Sequence, residues 1–188
     1  NGCSSEIVGP AALNPTAGTG PIGSMTRWSS ISRSWAHVSN TPFRFYKNYS
    51  HKGGSCTPLI ASWPDGIKGE NRICHDVGHF IDFMPTIAEI AGATYPSEFA
   101  GSPIPPMQGQ SLLPIFKGDT YTRQDPIYWN WRDGKAVRQG NYRLVSDSGD
   151  PWELYDMRVD RTETNNLAER HPDTVTELNA LYESWAKA

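Results

Sequence analysis

In the stretch FRFYKNYSHKGGSCTPLIASWP, residues 43–64, Lys47 stands among aromatic side chains, four residues before His51 and six before the pair Gly53 and Gly54. A lysine ammonium offers three donors and one full charge on a flexible stem, which suits a tetrahedral oxyanion such as sulfate or phosphate. Two glycines just beyond it let backbone segments approach closely or take a positive φ. His51 could donate to the same anion, act as an acid, or simply hold the loop. The competing reading of Lys47 is a solvated surface residue in a loop that turns into a strand, and spacing alone does not separate the two.

Other chemistry-bearing residues are weaker. His75 and His79 lie four apart with Asp76 and Asp82 nearby, which resembles a metal-binding helix face, but a third ligand at convincing spacing is missing and His79 precedes the helix. Cys3, Cys56 and Cys74 are an odd, widely spaced set without a CxxC pair, so they signal neither a zinc site nor a full disulfide framework. Trp129 and Trp131 alternate along one stretch; they offer a sugar-stacking surface, against the commoner role of core aromatics in a strand.

The elements that must position these residues follow from the pattern. Residues 1–40 are rich in Gly, Ser, Pro and Thr without a period, and read as an extended loop. TPLIASWP is a short apolar run between Gly-Gly and Pro-Asp-Gly, the pattern of a strand buried on both faces, with Cys56 as inert packing at its start. HFIDFMPTIAEIAGA predicts a helix capped by Asp82, tolerant of Pro85 in its first turn, with Met84, Ile87, Ala88 and Ala91 on one face and Gly92 at its end. Strand then helix is the grammar of the α/β class. From Asp125 the pattern changes to four short strands with turns at RDGK and QGN, then a helix whose stripe is Val175, Leu178, Leu181, Tyr182 and Trp185. The division is residues 1–115 as part of an α/β catalytic domain and 116–188 as an antiparallel sheet with a carboxy-terminal helix.

Composition sets the outer limits. With 37% hydrophobic, 11% aromatic and 20% charged residues the chain is globular in type. Seventeen Lys and Arg against 20 Asp and Glu, a net charge of −3 with no basic stripe, argue against a nucleic-acid partner. No apolar stretch approaches the roughly 20 residues of a membrane-spanning helix, so no membrane partner is expected. The first residues, NGCSSEIVGP, lack both a starting methionine and the features of a signal peptide, and lead us to expect a fragment or processed product of a longer chain.

Five blocks in order, SNTPFRFYKNYSHKGGSCTPLIASWP, HFIDFMPTIAEIAGATYP, PMQGQSLLPIFKGD, KAVRQGNYRLV and WELYDMRVDRTETNNLAERHP, resemble the carboxy-terminal portion of a type I sulfatase of the arylsulfatase kind, in the alkaline phosphatase-like superfamily. The resemblance implies a sulfuric ester hydrolase in which Lys47, with His51 beside it, reaches the sulfate ester. Lys52 stands where the family usually has an acidic residue. NGCSSE resembles the tail of a calcium-binding stretch, which would make Asn1 a ligand through its amide oxygen, as calcium prefers. The formylglycine nucleophile and the other calcium ligands would lie in the missing amino-terminal half, the fragment's implied partner, so the fragment alone is expected to be inactive. Cys56 is not that nucleophile: the converted motif has Arg two positions after its Pro, and here Ile60 stands there. The resemblance also implies a periplasmic or secreted enzyme. The alternatives are a phosphodiesterase or phosphonate ester hydrolase of the same fold, or a non-catalytic carbohydrate-binding module.

Overall fold

The structure, a computed structural model, describes residues 33–67 and 72–187. Asn1, Cys3 and the proposed leader loop up to residue 32 lie outside the described residues. Two compact units form: one combines residues 33–57 with 128–187, and the other spans Pro58–Ile127.

The first unit is built on a four-stranded sheet in the order β3 (Ile127–Trp131), β4 (Gly134–Gln139), β5 (Tyr142–Ser146), β6 (Glu153–Asp156). The pairs β4/β5 and β5/β6 are antiparallel, with Val137 opposite Leu144 and Leu144 opposite Leu154. The strand periodicity sends neighbours to opposite faces. Val137, Leu144 and Leu154 therefore face α5 (Pro172–Trp185), where they meet Leu178 and Tyr182, with Val175 and Leu181 packed at the margin. This is the predicted four-stranded meander and its helix.

The opposite face is buried as well, which the pattern did not predict. Ala136, Val145, Tyr155 and Met157 form a second cluster with Trp129 against it. What lies over this face is the segment that begins with α1 (Arg33–Ser39) and runs through residues 40–51 into α2 (Lys52–Ser55). Trp129 is thus a packing residue, with the Arg143 guanidinium carbon 4.3 Å from its ring centroid. Trp131 is 56% exposed.

The second unit holds a 3-10 turn (Phe80–Asp82), α3 (Phe83–Ala91), a minimal hairpin of β1 (Glu98–Phe99) and β2 (Ser102–Pro103), and α4 (Leu113–Lys117). Asp82 is fully buried and organises it. Its carboxylate accepts from the backbone N–H of His79 (2.7 Å) and Gln110 (2.9 Å) and from both terminal nitrogens of Arg123 (2.6 and 3.0 Å). Asp82 therefore completes a capping box with His79 on the 3-10 turn and makes no side-chain cap on α3, the role predicted for it.

Two further expectations fail in this unit. TPLIASWP is not a strand: Leu59 and Ile60 are exposed and no strand pairs with the run among the described residues. An apolar run becomes a strand only when neighbours take up its N–H and C=O groups, and among the described residues no strand does so. Cys56 is correspondingly exposed, closing α2 through its own N–H to Lys52 O. The predicted apolar face of α3 is also open, with Met84 and Ile87 exposed, while the buried positions are Pro85 and Thr86.

Candidate anion site

Lys47 sits at the tip of a four-residue turn. Tyr49 N–H donates to Tyr46 O (3.2 Å), and Asn48 at the third position has φ 86°. A positive φ there is the mark of a type II turn, and asparagine is among the few non-glycine residues that tolerate it. Such a turn projects its second residue outward, and Lys47 is exposed while Tyr46 is buried.

The turn is held from below by aromatic stacking and by the two glycines. Phe45 stacks on Tyr49 at 4.4 Å and tilts against His51 at 4.7 Å. Gly53 N–H donates to Arg44 O (2.9 Å), and a Cβ at Gly53 would fall 2.1 Å from that oxygen; one at Gly54 would fall 2.0 Å from Tyr49 O. Of the two reasons glycine could be needed here, close approach is the one the fold uses.

A charged network then ties the loop to the sheet. Arg44 donates to Glu153 (3.1 Å), to the Tyr155 hydroxyl (2.6 Å) and to Glu163 O (2.8 Å). His51 Nε2 lies 3.0 Å from Glu153 Oε2. Because a carboxylate only accepts, that nitrogen carries the proton. Lys52 N–H donates to Glu163 Oε2 (2.8 Å), and Arg143 donates to Ser50 O and to Ser55 Oγ (2.8 Å). Burial pushes the Glu153 carboxyl up, but hydrogen bonds from Tyr155 and His51 and the charge of Arg44 outweigh it and hold it below the usual range. Burial and Glu153 together push the Tyr155 hydroxyl far up, so it stays a donor. Burial likewise lowers Lys52, with Arg161, Arg143 and Arg138 adding repulsion against Cys56. Its ammonium lies 5.0 Å from the Phe43 ring centroid.

Lys47 lines a depression of about 250 Å³ with Arg33, Asn48, Trp131, Arg132 and Asp133 among its walls. His51 is absent from that lining. The residue is 3% exposed, and its Nδ1 is buried without a hydrogen-bond partner. In this geometry His51 positions the loop and does not share the surface with Lys47. His79 is engaged locally, its Nδ1 accepting from Ile81 N–H (3.3 Å). Among the described residues no group of three or more His, Cys, Asp or Glu is placed to hold a metal ion.

The residues that sequence reasoning missed are Arg44, Arg143, Glu153 and Glu163. For Arg143 and Glu153 the only signal was charge at inward strand positions, since Arg143 pairs with Tyr155 across β5/β6 and Glu153 lies two residues from Tyr155 on the same face; Arg44 and Glu163 lie outside the strands and carried no such signal.

Residues 43–184 match the family described as N-sulphoglucosamine sulphohydrolase, C-terminal. The chain belongs to that family. It is 31% identical to an uncharacterized sulfatase of Schizosaccharomyces pombe over 158 residues, covering 80% of this chain and 28% of the relative. It is 26% identical to an N-acetylgalactosamine-6-O-sulfatase of Bacteroides thetaiotaomicron, covering 77% of this chain and 30% of the relative. The crystal structure of Ps i-CgsB shares the fold, with a TM-score of 0.65 at 24% identity over 78% of this chain and 32% of that one. This sulfatase-family chain spans less than a third of the length of these relatives, and matches the carboxy-terminal portion of a sulfatase.

Proposed function

We propose that this chain is the carboxy-terminal part of a sulfate ester hydrolase and that Lys47 binds the ester's sulfuryl oxygens. The observation that carries the reading is Lys47 itself, displayed at the tip of a turn whose backbone is fixed by glycine contacts and buried ion pairs, in a depression that also holds Arg33 and Arg132. Preorganised cations of this kind stabilise charge that builds up on oxygen as the sulfur–oxygen bond breaks, without reorganisation at the moment of reaction. The relatives named as N-acetylgalactosamine-6-O-sulfatase and N-acetylglucosamine-6-O-sulfatase support a sulfated sugar as the ester.

Formylglycine and calcium belong to this proposal only as groups supplied from elsewhere in a longer protein. The described residues do not fit a calcium centre, having no ligand cluster, and Asn1, the ligand implied by resemblance, lies outside them. What these residues do is bind the anion, orient it, and keep the lysine loop in one conformation. The reading also entails that the 188-residue chain alone does not turn over substrate.

The test is Lys47→Ala in the longer protein, with circular dichroism to confirm the fold. Loss of one charge contact at the reacting group lowers kcat/KM on a sulfate ester by roughly 10²–10³. Turnover close to the parent's removes Lys47 from the site.

A further inference from the structure

Beside Lys47 the chain displays a tryptophan that the core does not use. Trp131 ends β3 and is 56% exposed, although Trp129, two residues earlier on the same face, is packed against the sheet. Trp131 leads into the turn Arg132–Asp133, where Arg132 has φ 54°, and its ring lies 5.9 Å from the Arg132 guanidinium carbon. The turn lies against the lysine loop. A Cβ at Gly134 would fall 2.7 Å from Ser50 Oγ and 2.7 Å from Asp147 Oδ1, so the turn's backbone lies directly against these two side chains and glycine leaves them room. The indole and Lys47 line the same depression.

The same turn also lines a second depression, of about 440 Å³, which shares Arg132, Asp133 and Ser148 with the first. Asn130, Lys135 and Tyr182 complete its walls. The Lys135 ammonium lies over the rings of Trp152 (5.2 Å) and Tyr182 (6.0 Å), a cation among the residues that line this depression.

We propose that the β3–β4 turn is a saccharide platform and that the preferred substrate is an acidic oligosaccharide of at least two sugar rings. The ring bearing the scissile sulfate lies on Trp131, with its sulfate toward Lys47. The next residue crosses the turn, and its carboxylate or second sulfate meets Lys135. An exposed indole offers a flat apolar face to the C–H face of a pyranose. Asp133 accepts hydroxyl hydrogen bonds, and Arg132 and Lys135 take negative charge. This deepens the reading of Lys47 as the sulfate contact and rests on it.

The experiment compares kcat/KM of the longer protein on a sulfated disaccharide, the matching sulfated monosaccharide and a small aryl sulfate. The parent prefers the disaccharide over the monosaccharide by at least about tenfold, as expected for an additional stacked and charge-paired ring. Trp131→Ala lowers the preference for saccharide over aryl sulfate by about tenfold through KM, and Trp131→Phe restores part of it. Lys135→Ala reduces the disaccharide preference. If Trp131→Ala keeps the parent's preferences while Lys47→Ala abolishes turnover, the platform is wrong and the anion site stands. If Lys47→Ala retains turnover on all three esters, both readings fall.

Discussion

Arg143 Nε lies 3.0 Å from Glu163 Oε1, and both side chains are closed to solvent. The two atoms meet as opposite charges without the alignment of a hydrogen bond. Their remaining atoms reach the lysine loop: Glu163 Oε2 accepts Lys52 N–H, and Arg143 donates to Ser50 O and Ser55 Oγ. Burial lowers the Arg143 pKa, with the Glu163 charge opposing it. This ion pair therefore serves as the fastening between β5 and the segment that carries Lys47.

Removing one partner leaves a desolvated charge. Glu163→Ala is expected to destabilise the first unit by about 3–5 kcal/mol, because the guanidinium is then buried without its counter-ion. Glu163→Gln keeps an acceptor for Lys52 N–H and costs less. Urea unfolding of both variants checks this, and equal midpoints would show that the charge contributes nothing.

Gly53→Ala places a methyl 2.1 Å from Arg44 O and 2.2 Å from Phe45 O. Both atoms are backbone, so relief requires the lysine turn itself to shift. A loss of about 2–3 kcal/mol is expected, together with faster amide exchange at Tyr49, whose N–H closes the turn. Unaltered exchange there would mean that the glycines do not set the turn.

How much of this was legible in the sequence differs between the two units. The four strands and α5 were readable because each alternation or helical stripe is complete within its own segment, as with Val137, Leu144, Leu178 and Tyr182. The second buried face was not, because Arg143 and Glu153 look like outward residues until Arg44, His51 and Glu163 are brought across from distant positions. TPLIASWP misled for the converse reason: an apolar run reports what could be buried, while pairing depends on a neighbour the run itself does not encode. Lys47 was a candidate by residue type and by resemblance, while its spacing left a solvated surface residue open. Its turn, set by Asn48 at φ 86°, was not legible.

Asp82 is expected to matter for folding of the second unit and not for chemistry. Asp82→Ala removes four acceptor contacts at once and strands Arg123, whose guanidinium is mostly covered. A cost of about 3–5 kcal/mol follows from an unpaired buried charge. Limited proteolysis reads it directly: cleavage within Pro58–Ile127 should accelerate while the sheet-bearing unit stays resistant. Equal sensitivity of both units would show that Asp82 acts beyond its own neighbourhood.

Acid should loosen the lysine loop before it unfolds the sheet. Glu153 has its pKa depressed in the fold relative to an ordinary glutamate at about 4.3. A group shifted in this direction contributes stability that is fully present above the unfolded value and is lost as pH falls through the lower, folded value. The window thus lies from about pH 4.3 downward. Protonation there removes the acceptor for Arg44, Tyr155 and His51 together, while the apolar contacts of Val137, Leu144 and Leu154 with α5 carry no titrating group. Amide exchange around Phe45 to Ser50 should therefore rise at a higher pH than exchange in β4 and β5. Glu153→Gln should show the loosened loop already at neutral pH and abolish the parent's rise in exchange as pH falls below about 4.3. A variant whose loop still loosened as pH fell below that value would assign the transition to some other carboxylate.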